Sequence, residues 1–188
     1  MQGAPVQRSI EEQLVAWCRE GKRVVRLKGG CPSVFGRTHS EIAALEEAGC
    51  AWELVPGVSS ALAAPLLAGI PLTEKDKSKS FLVASAHDPG GLNWEGMRGA
   101  DTVVLLMGGM RLGECMARLQ AAGRGEGTPV AVVRAAATPE QREWRGTLGT
   151  IDAVVAGETL SPCVVVVGEV ACGIPGVTAR RRRSHGGV

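Results

Sequence analysis

The sequence predicts an α/β protein of two lobes, with mostly parallel sheets and a cleft between the lobes. Three observations carry that expectation. Twice a short apolar stretch runs into a loop of small residues and then a helix: Val24-Val25-Arg26-Leu27 into Lys28-Gly29-Gly30-Cys31-Pro32, and Trp52-Glu53-Leu54-Val55 into Pro56-Gly57-Val58-Ser59-Ser60. Runs such as Val103-Val104-Leu105-Leu106 and Val164-Val165-Val166-Val167 do not alternate with polar residues, so both faces of their sheet should be covered. The charged, unpatterned segment 74–79 reads as a linker between two sets of elements. Ligands of open α/β sheets bind beyond the carboxyl ends of strands, so the two glycine loops predict a small-molecule site.

Each element has its own signal. Ser9-Ile10-Glu11-Glu12 has the form of a capping box, and Ile10, Leu14, Trp17 and Cys18 follow at helical spacing. They predict a helix over 10–20 that stops at Gly21, with Trp17 a core contact rather than a ligand platform. A strand Arg23–Leu27 and the loop Lys28–Arg37 come next. Thr38-His39-Ser40-Glu41 opens a capped helix with Ile42, Leu45 and Ala48 inward and Gly49 as its stop, and Ala51–Val55 reads as a strand. Val58–Ala68 is small or apolar throughout, with Pro65 inside it. Such a helix is buried on all sides, or buried on one side and packed on the other against a second subunit.

The second half alternates again. Strands are expected at Ser80–Ala84, Asp101–Leu106, Val130–Val133 and Cys163–Val167, with an edge strand over Gln141–Leu148. A helix over Met110–Ala122 places Leu112, Cys115, Met116 and Leu119 on one face, and a short one spans Ile151–Ala156. The domain reading is therefore a partial first lobe over 1–73, a linker at 74–79, a second lobe over 80–172 and a disordered basic tail over 173–188. Arg180–Arg183 reads as a solvated tail, the alternative being a targeting or polyanion-binding patch.

Composition removes several function classes. With 188 residues, 45% hydrophobic and 21% charged, the chain suits a soluble globular core. Two Phe, four Trp and no Tyr offer little base stacking. The net charge is +2, but Arg180–Arg183 supply four of the 21 basic residues; the other 17 against 19 acidic residues leave −2, so the body is not basic and no nucleic-acid partner is expected. Six cysteines (Cys18, Cys31, Cys50, Cys115, Cys163, Cys172) lie scattered without metal-ligand spacing, so no metal is expected. They suit a reducing compartment, cytoplasm or plastid stroma. The apolar runs are too short to span a bilayer, so no membrane partner is expected.

The wording of the loops goes further than their physics. Arg26-Leu27-Lys28-Gly29-Gly30-x-Pro32-x-x-Phe35-Gly36-Arg37, then Val55-Pro56-Gly57-x-Ser59-Ser60, then Gly69-Ile70-Pro71-Leu72-Thr73 resembles the tetrapyrrole (corrin/porphyrin) methyltransferase family. The resemblance continues through Met107-Gly108, Thr128-Pro129-Val130-Ala131, Thr138-Pro139 with Gln141-Arg142, and Ser161-Pro162 to Gly168. It is strongest to members that methylate uroporphyrinogen III at carbon in the sirohaem and cobalamin branch. It implies a two-lobed fold, S-adenosylmethionine as methyl donor, a homodimer and a polycarboxylate tetrapyrrole as acceptor. The matching donor-binding positions are Gly29, Gly30, Cys31, Val34, Ser59, Ser60, Met107 and Ala136. Plainer readings stand beside them: Gly29-Gly30 as a tight turn, Met107 as a core gap-filler, Ser59 and Ser60 as helix caps.

Cations are expected to read the acceptor's carboxylates, and the candidates are Arg26, Lys28, Arg37 and Arg142, with Arg37 preferred. Arg26 and Lys28 would otherwise only flank a strand in solvent. His87 stands at a strand end where the family also has a histidine, either as a base or, the reading favoured here, as a structural hydrogen-bonding residue.

The chain also departs from the family pattern. The opening strand with its Gly-x-Gly-Pro-Gly-Asp loop, the Tyr-Asp segment and the Val-Gly-Lys segment do not occur in it, which leaves the first lobe incomplete and the catalytic residues unassigned. Cys31 stands where the family carries Asp, Ser33 where it carries an apolar residue, and Thr38-His39 where it carries Gly-Gly. Two alternatives to uroporphyrinogen methylation therefore stay open: a non-catalytic binding or dimerisation module of the same fold, and a methylase of a later precorrin.

Overall fold

A computed structural model describes residues 4–174. The tail Arg180–Arg183 lies outside the described residues. The chain divides into two compact units between Ser59 and Ser60. Helix α3 and the segment 74–79 thus both belong to the second unit.

The first unit is helical. Helix α1 (Ala4–Arg19) packs against α2 (Thr38–Glu47). Ser9 lies inside α1 rather than capping it, and Gly21 follows its end at φ 72°. Leu14 is buried, but Trp17 is 39% exposed and is not a core contact. Helix α2 has no side-chain cap: its cap residue is Arg37, held left-handed at φ 53°. The Thr38 hydroxyl instead donates to the Pro32 carbonyl, which ties the helix start back into the preceding loop.

The strands expected at Arg23–Leu27 and Ala51–Val55 are not formed. A strand exists only through the backbone bonds of a neighbour, and neither segment pairs with another among the described residues. Their apolar residues stay exposed, Val25 at 75%, Leu27 at 79% and Val55 at 72%.

The second unit is a three-layer α/β arrangement. Five strands, β1 (Phe81–Ser85), β2 (Thr102–Leu106), β3 (Pro129–Arg134), β4 (Arg142–Thr147) and β5 (Cys163–Val167), form one sheet in the order β1-β2-β5-β3-β4. Only β1 and β2 pair in parallel; β5 runs antiparallel to β2 and β3, and β3 antiparallel to β4. The α/β class holds, but the mostly parallel sheets expected are here one mixed sheet. Apolar runs report that both faces are covered, not which way a strand points.

One face carries Val103, Leu105, Val130, Val132, Val165 and Val167, packed with α4 (Trp94–Met97), α5 (Leu112–Ala121) and Ile151 of α6 (Ile151–Val154). The alternate residues, among them Val104, Ala131, Val133 and Val166, face the layer of α3 (Ser60–Leu67) and the 3-10 turn Glu169–Cys172. On α3 the small residues Ala61, Ala64 and Pro65 are buried. Ser78 anchors the 74–79 turn: its buried hydroxyl lies 2.8 Å from the Thr102 hydroxyl and donates to the Leu72 carbonyl at 2.9 Å.

Candidate functional site

In the first unit the two glycine loops meet backbone to backbone. A Cβ on Gly57 would stand 3.0 Å from the Gly30 carbonyl oxygen and 3.3 Å from the Cys31 Cα; one on Gly30 would stand 3.2 Å from the Val58 carbonyl oxygen. Side chains at either place would force the loops apart, so glycine there is dictated by approach rather than by φ. At Gly29 a Cβ would meet nothing within 4 Å, so its backbone faces open space. Val34 closes the turn by donating its amide to the Cys31 carbonyl at 3.1 Å.

Cys31 sits where these loops touch. Its sulfur lies 3.1 Å from the Ser33 hydroxyl, and that contact, followed by backbone bonds from Gly57 and Ser33, holds the thiol below its ordinary pKa. Ser59 is buried at the end of the second loop. Ser60 is the first residue of α3, in the second unit, and is exposed.

The expected acceptor cations of this unit turn elsewhere. The Lys28 side chain is 11% exposed; its ammonium donates to the Gly36 carbonyl at 2.7 Å and pairs with the buried Glu41 carboxylate. Arg26 donates to the same carboxylate at 3.3 Å, and Gln7 at 3.1 Å. Burial pushes the Glu41 carboxyl up, but the bonds from Lys28 and Gln7 and the charges of Lys28 and Arg26 together hold it below the usual range. Arg37 is exposed, and no ion pair engages it among the described residues.

In the second unit the remaining candidates gather at one edge of the sheet. Ser85 pairs with Leu106, Leu106 with Val164, and Val164 with Val133, so the carboxyl ends of β1, β2 and β3 share an edge with the start of β5. His87, Met107 and Ala136 follow those three ends. Met107 has φ 60° and is 51% exposed, so it is not a core gap-filler. Ala135 (φ 47°) and Ala137 (φ 68°) flank Ala136. Non-glycine residues held left-handed store strain, and here they cluster at the expected donor positions. The turn holds them by its own bonds: the Ala135 amide donates to the Pro162 carbonyl at 3.0 Å, the Ala137 amide to the Gln141 side chain at 2.9 Å, and the Thr138 hydroxyl to the Ala135 carbonyl at 2.8 Å.

Gly108 and Gly109 shape the neighbouring bend, since a Cβ on Gly109 would fall 2.8 Å from the Cys163 sulfur. His87 is exposed and makes no hydrogen bond among the described residues, so the structural role favoured for it is not seen there. Arg142 is clamped in a bidentate pair with Glu158, both bonds 2.8 Å, above the Trp144 ring. Sequence reasoning named Gly57 only as part of its loop and passed over Gly109, and the close approach that demands glycine at both shows only in three dimensions; it also passed over Arg134 at the end of β3.

The sequence matches the family model of the tetrapyrrole (corrin/porphyrin) methylases over residues 2–152. It is 44% identical over 164 residues to a uroporphyrinogen-III C-methyltransferase of Synechococcus elongatus, covering 87% of this chain and 68% of that protein. A siroheme synthase of Methylobacillus flagellatus is 40% identical over 169 residues, and there the match spans only 36% of the longer protein. The fold is similar to that of uroporphyrin-III C-methyl transferase from Thermus thermophilus complexed with S-adenyl homocysteine, with TM-score 0.78 and 34% identity over 88% of this chain and 74% of that one.

Proposed function

The chain belongs to the tetrapyrrole (corrin/porphyrin) methylases, and from that premise we propose that it serves the S-adenosylmethionine-dependent C-methylation of uroporphyrinogen III to precorrin-2. The observation that carries the reading is the strained, partly exposed backbone at Met107 and Ala135–Ala137, lying at the carboxyl edge of the sheet where α/β folds place ligands. The residues fit the donor. Within the first unit Gly29 offers open backbone and Gly30 and Gly57 hold the two loops in register; within the second, taken by itself, Met107 and Ala136 present apolar surface of the kind that flanks an adenine.

S-adenosylmethionine, when bound, supplies an electrophilic methyl group on a sulfonium. The chain's part is to orient and to exclude water, because methyl transfer to carbon needs alignment more than proton traffic at the donor. Cys31, Val34, Ser59 and Ser60 belong to the donor loops in this reading, and the exposed Arg37 and His87 are the residues left to meet the acceptor. The free thiols suit a reducing compartment. None of the described helices is long and apolar enough to cross a membrane.

One observation favours a second reading, a binding or dimerisation module without chemistry: Lys28 and Arg26 are engaged by Glu41 rather than held for an acceptor. Calorimetric titration with S-adenosylhomocysteine, beside a Cys31→Asp variant, separates the two. Micromolar binding by the chain as written supports the methyltransferase. Binding only by the variant places the deficit at residue 31. No heat from either folded protein leaves the module.

A further inference from the structure

Arg134 ends β3, and its guanidinium has no visible occupation. Its Nε is buried without a hydrogen-bond partner, and no ion pair or other hydrogen bond engages the side chain among the described residues. A buried, unpaired donor of this kind is costly and persists where something else supplies the acceptor. Its surroundings sharpen the point. Arg134 pairs with Cys163 on one side and with Arg142 on the other, so two arginines stand directly opposite each other across antiparallel strands. Like charges in that relation repel. Glu158 neutralises Arg142 through two 2.8 Å bonds and Trp144 supports it from below, but no carboxylate among the described residues pairs with Arg134. Alternation along β3 puts Arg134 on the same face as Val132, and one residue further on the chain enters the strained turn Ala135–Ala137.

We propose that Arg134 is a specificity residue that binds a carboxylate of the tetrapyrrole acceptor, with the Arg142–Glu158 pair as the fixed wall beside it. The inference rests on the methyltransferase reading above for the identity of the acceptor, not for the existence of the anion site. A carboxylate matches the guanidinium fork and cancels the charge that Glu158 leaves uncompensated. The donor also carries a carboxylate, but its own ammonium lies beside it, so an unaccompanied cation favours the acceptor's unaccompanied acids.

The test is direct binding of uroporphyrin III, the stable oxidised octacarboxylate, to the full chain and to Arg134→Gln and Arg134→Lys, followed by fluorescence at two ionic strengths. S-adenosylhomocysteine is titrated in parallel. Loss of one charged hydrogen-bonding group predicts a porphyrin Kd about tenfold weaker in Arg134→Gln. Lys restores the charge without the fork and should recover affinity to within about threefold of the native chain. Affinity for S-adenosylhomocysteine stays unchanged, and the Tm of ligand-free Arg134→Gln does not fall, because no hydrogen bond or ion pair of the side chain among the described residues is lost. Equal porphyrin affinity in Arg134→Gln overturns the proposal. So does a parallel loss of S-adenosylhomocysteine binding, which would assign the guanidinium to the donor, or a Tm drop, which would give it a structural partner. Turnover separates the two readings: Arg134-dependent porphyrin binding without methyl transfer sinks the proposed function and leaves the anion site. Methyl transfer with KM and kcat unchanged in Arg134→Gln does the reverse.

Discussion

Glu41 is 5% exposed and holds Lys28, Arg26 and Gln7 around one carboxylate. Removing its charge leaves the Lys28 ammonium, itself 11% exposed, without a counter-ion in a confined place. Breaking such a buried pair from one side costs more than the pair contributes, so Glu41→Gln should lower stability by about 3 kcal/mol in urea unfolding of the full chain. The same carboxylate sets a pH dependence. Its folded pKa lies below its unfolded one, so its contribution is complete above the ordinary glutamate value, about 4.3, and is lost as pH falls through the lower folded value. Native protein should therefore lose Tm more steeply than Glu41→Gln below about pH 4.3, and parallel curves would refute the assignment. This cluster also marks what the sequence could not tell. Lys28 and Arg26 read as acceptor cations because they flank a glycine loop, while the partner that claims them lies 13 and 15 residues further on, on a helix whose orientation no local pattern specifies.

At the scale of elements, close approach and strain make opposite predictions for two substitutions. Gly57→Ala inserts a methyl group 3.0 Å from the Gly30 carbonyl oxygen, and the atom it meets is backbone that cannot swing aside. Separation of the loops should weaken S-adenosylhomocysteine about tenfold or more, read by calorimetry. Ala137→Gly acts the other way. Ala137 sits at φ 68°, where a Cβ costs roughly 1–2 kcal/mol and glycine costs some unfolded-state entropy. The variant should therefore be more stable by about 0.5–1 kcal/mol in thermal unfolding, with the turn kept by the Gln141 bond to the residue 137 amide. Strand positions in the second unit were legible because β2 and β5 are uninterrupted apolar runs between turn residues. Strand direction was not, since period and composition are the same for either pairing. In the first unit, apolar runs at 23–27 and 51–55 predicted strands that the described residues give no neighbour to complete.

At the scale of the molecule, burial is unevenly distributed. The core cluster runs from Ala84 to Val167 within the second unit, whereas in the first unit Leu14 and Cys50 are the buried apolar residues described. Helix α3 belongs to the second unit and shows what that core leaves uncovered. Its sequence, apolar on every side, predicted burial all round or burial shared with another subunit, and within this chain the helix is buried on one side only: Ala61 and Ala64 are 1% and 2% exposed, while Leu62, Leu66 and Leu67 are 49%, 72% and 45% exposed. Three leucines on the outer side of an eight-residue helix form a surface that water tolerates poorly and that a symmetric copy can cover. A homodimer through this face predicts that Leu62→Glu with Leu66→Glu, which would bury carboxylates without partners, weakens self-association by at least about a hundredfold. Sedimentation velocity across a concentration series checks it. The native chain should sediment as a dimer at tens of micromolar, on the order expected for a specific interface, and the double variant as a folded monomer. A native chain already monomeric there, or a double variant still dimeric, would remove α3 from the interface.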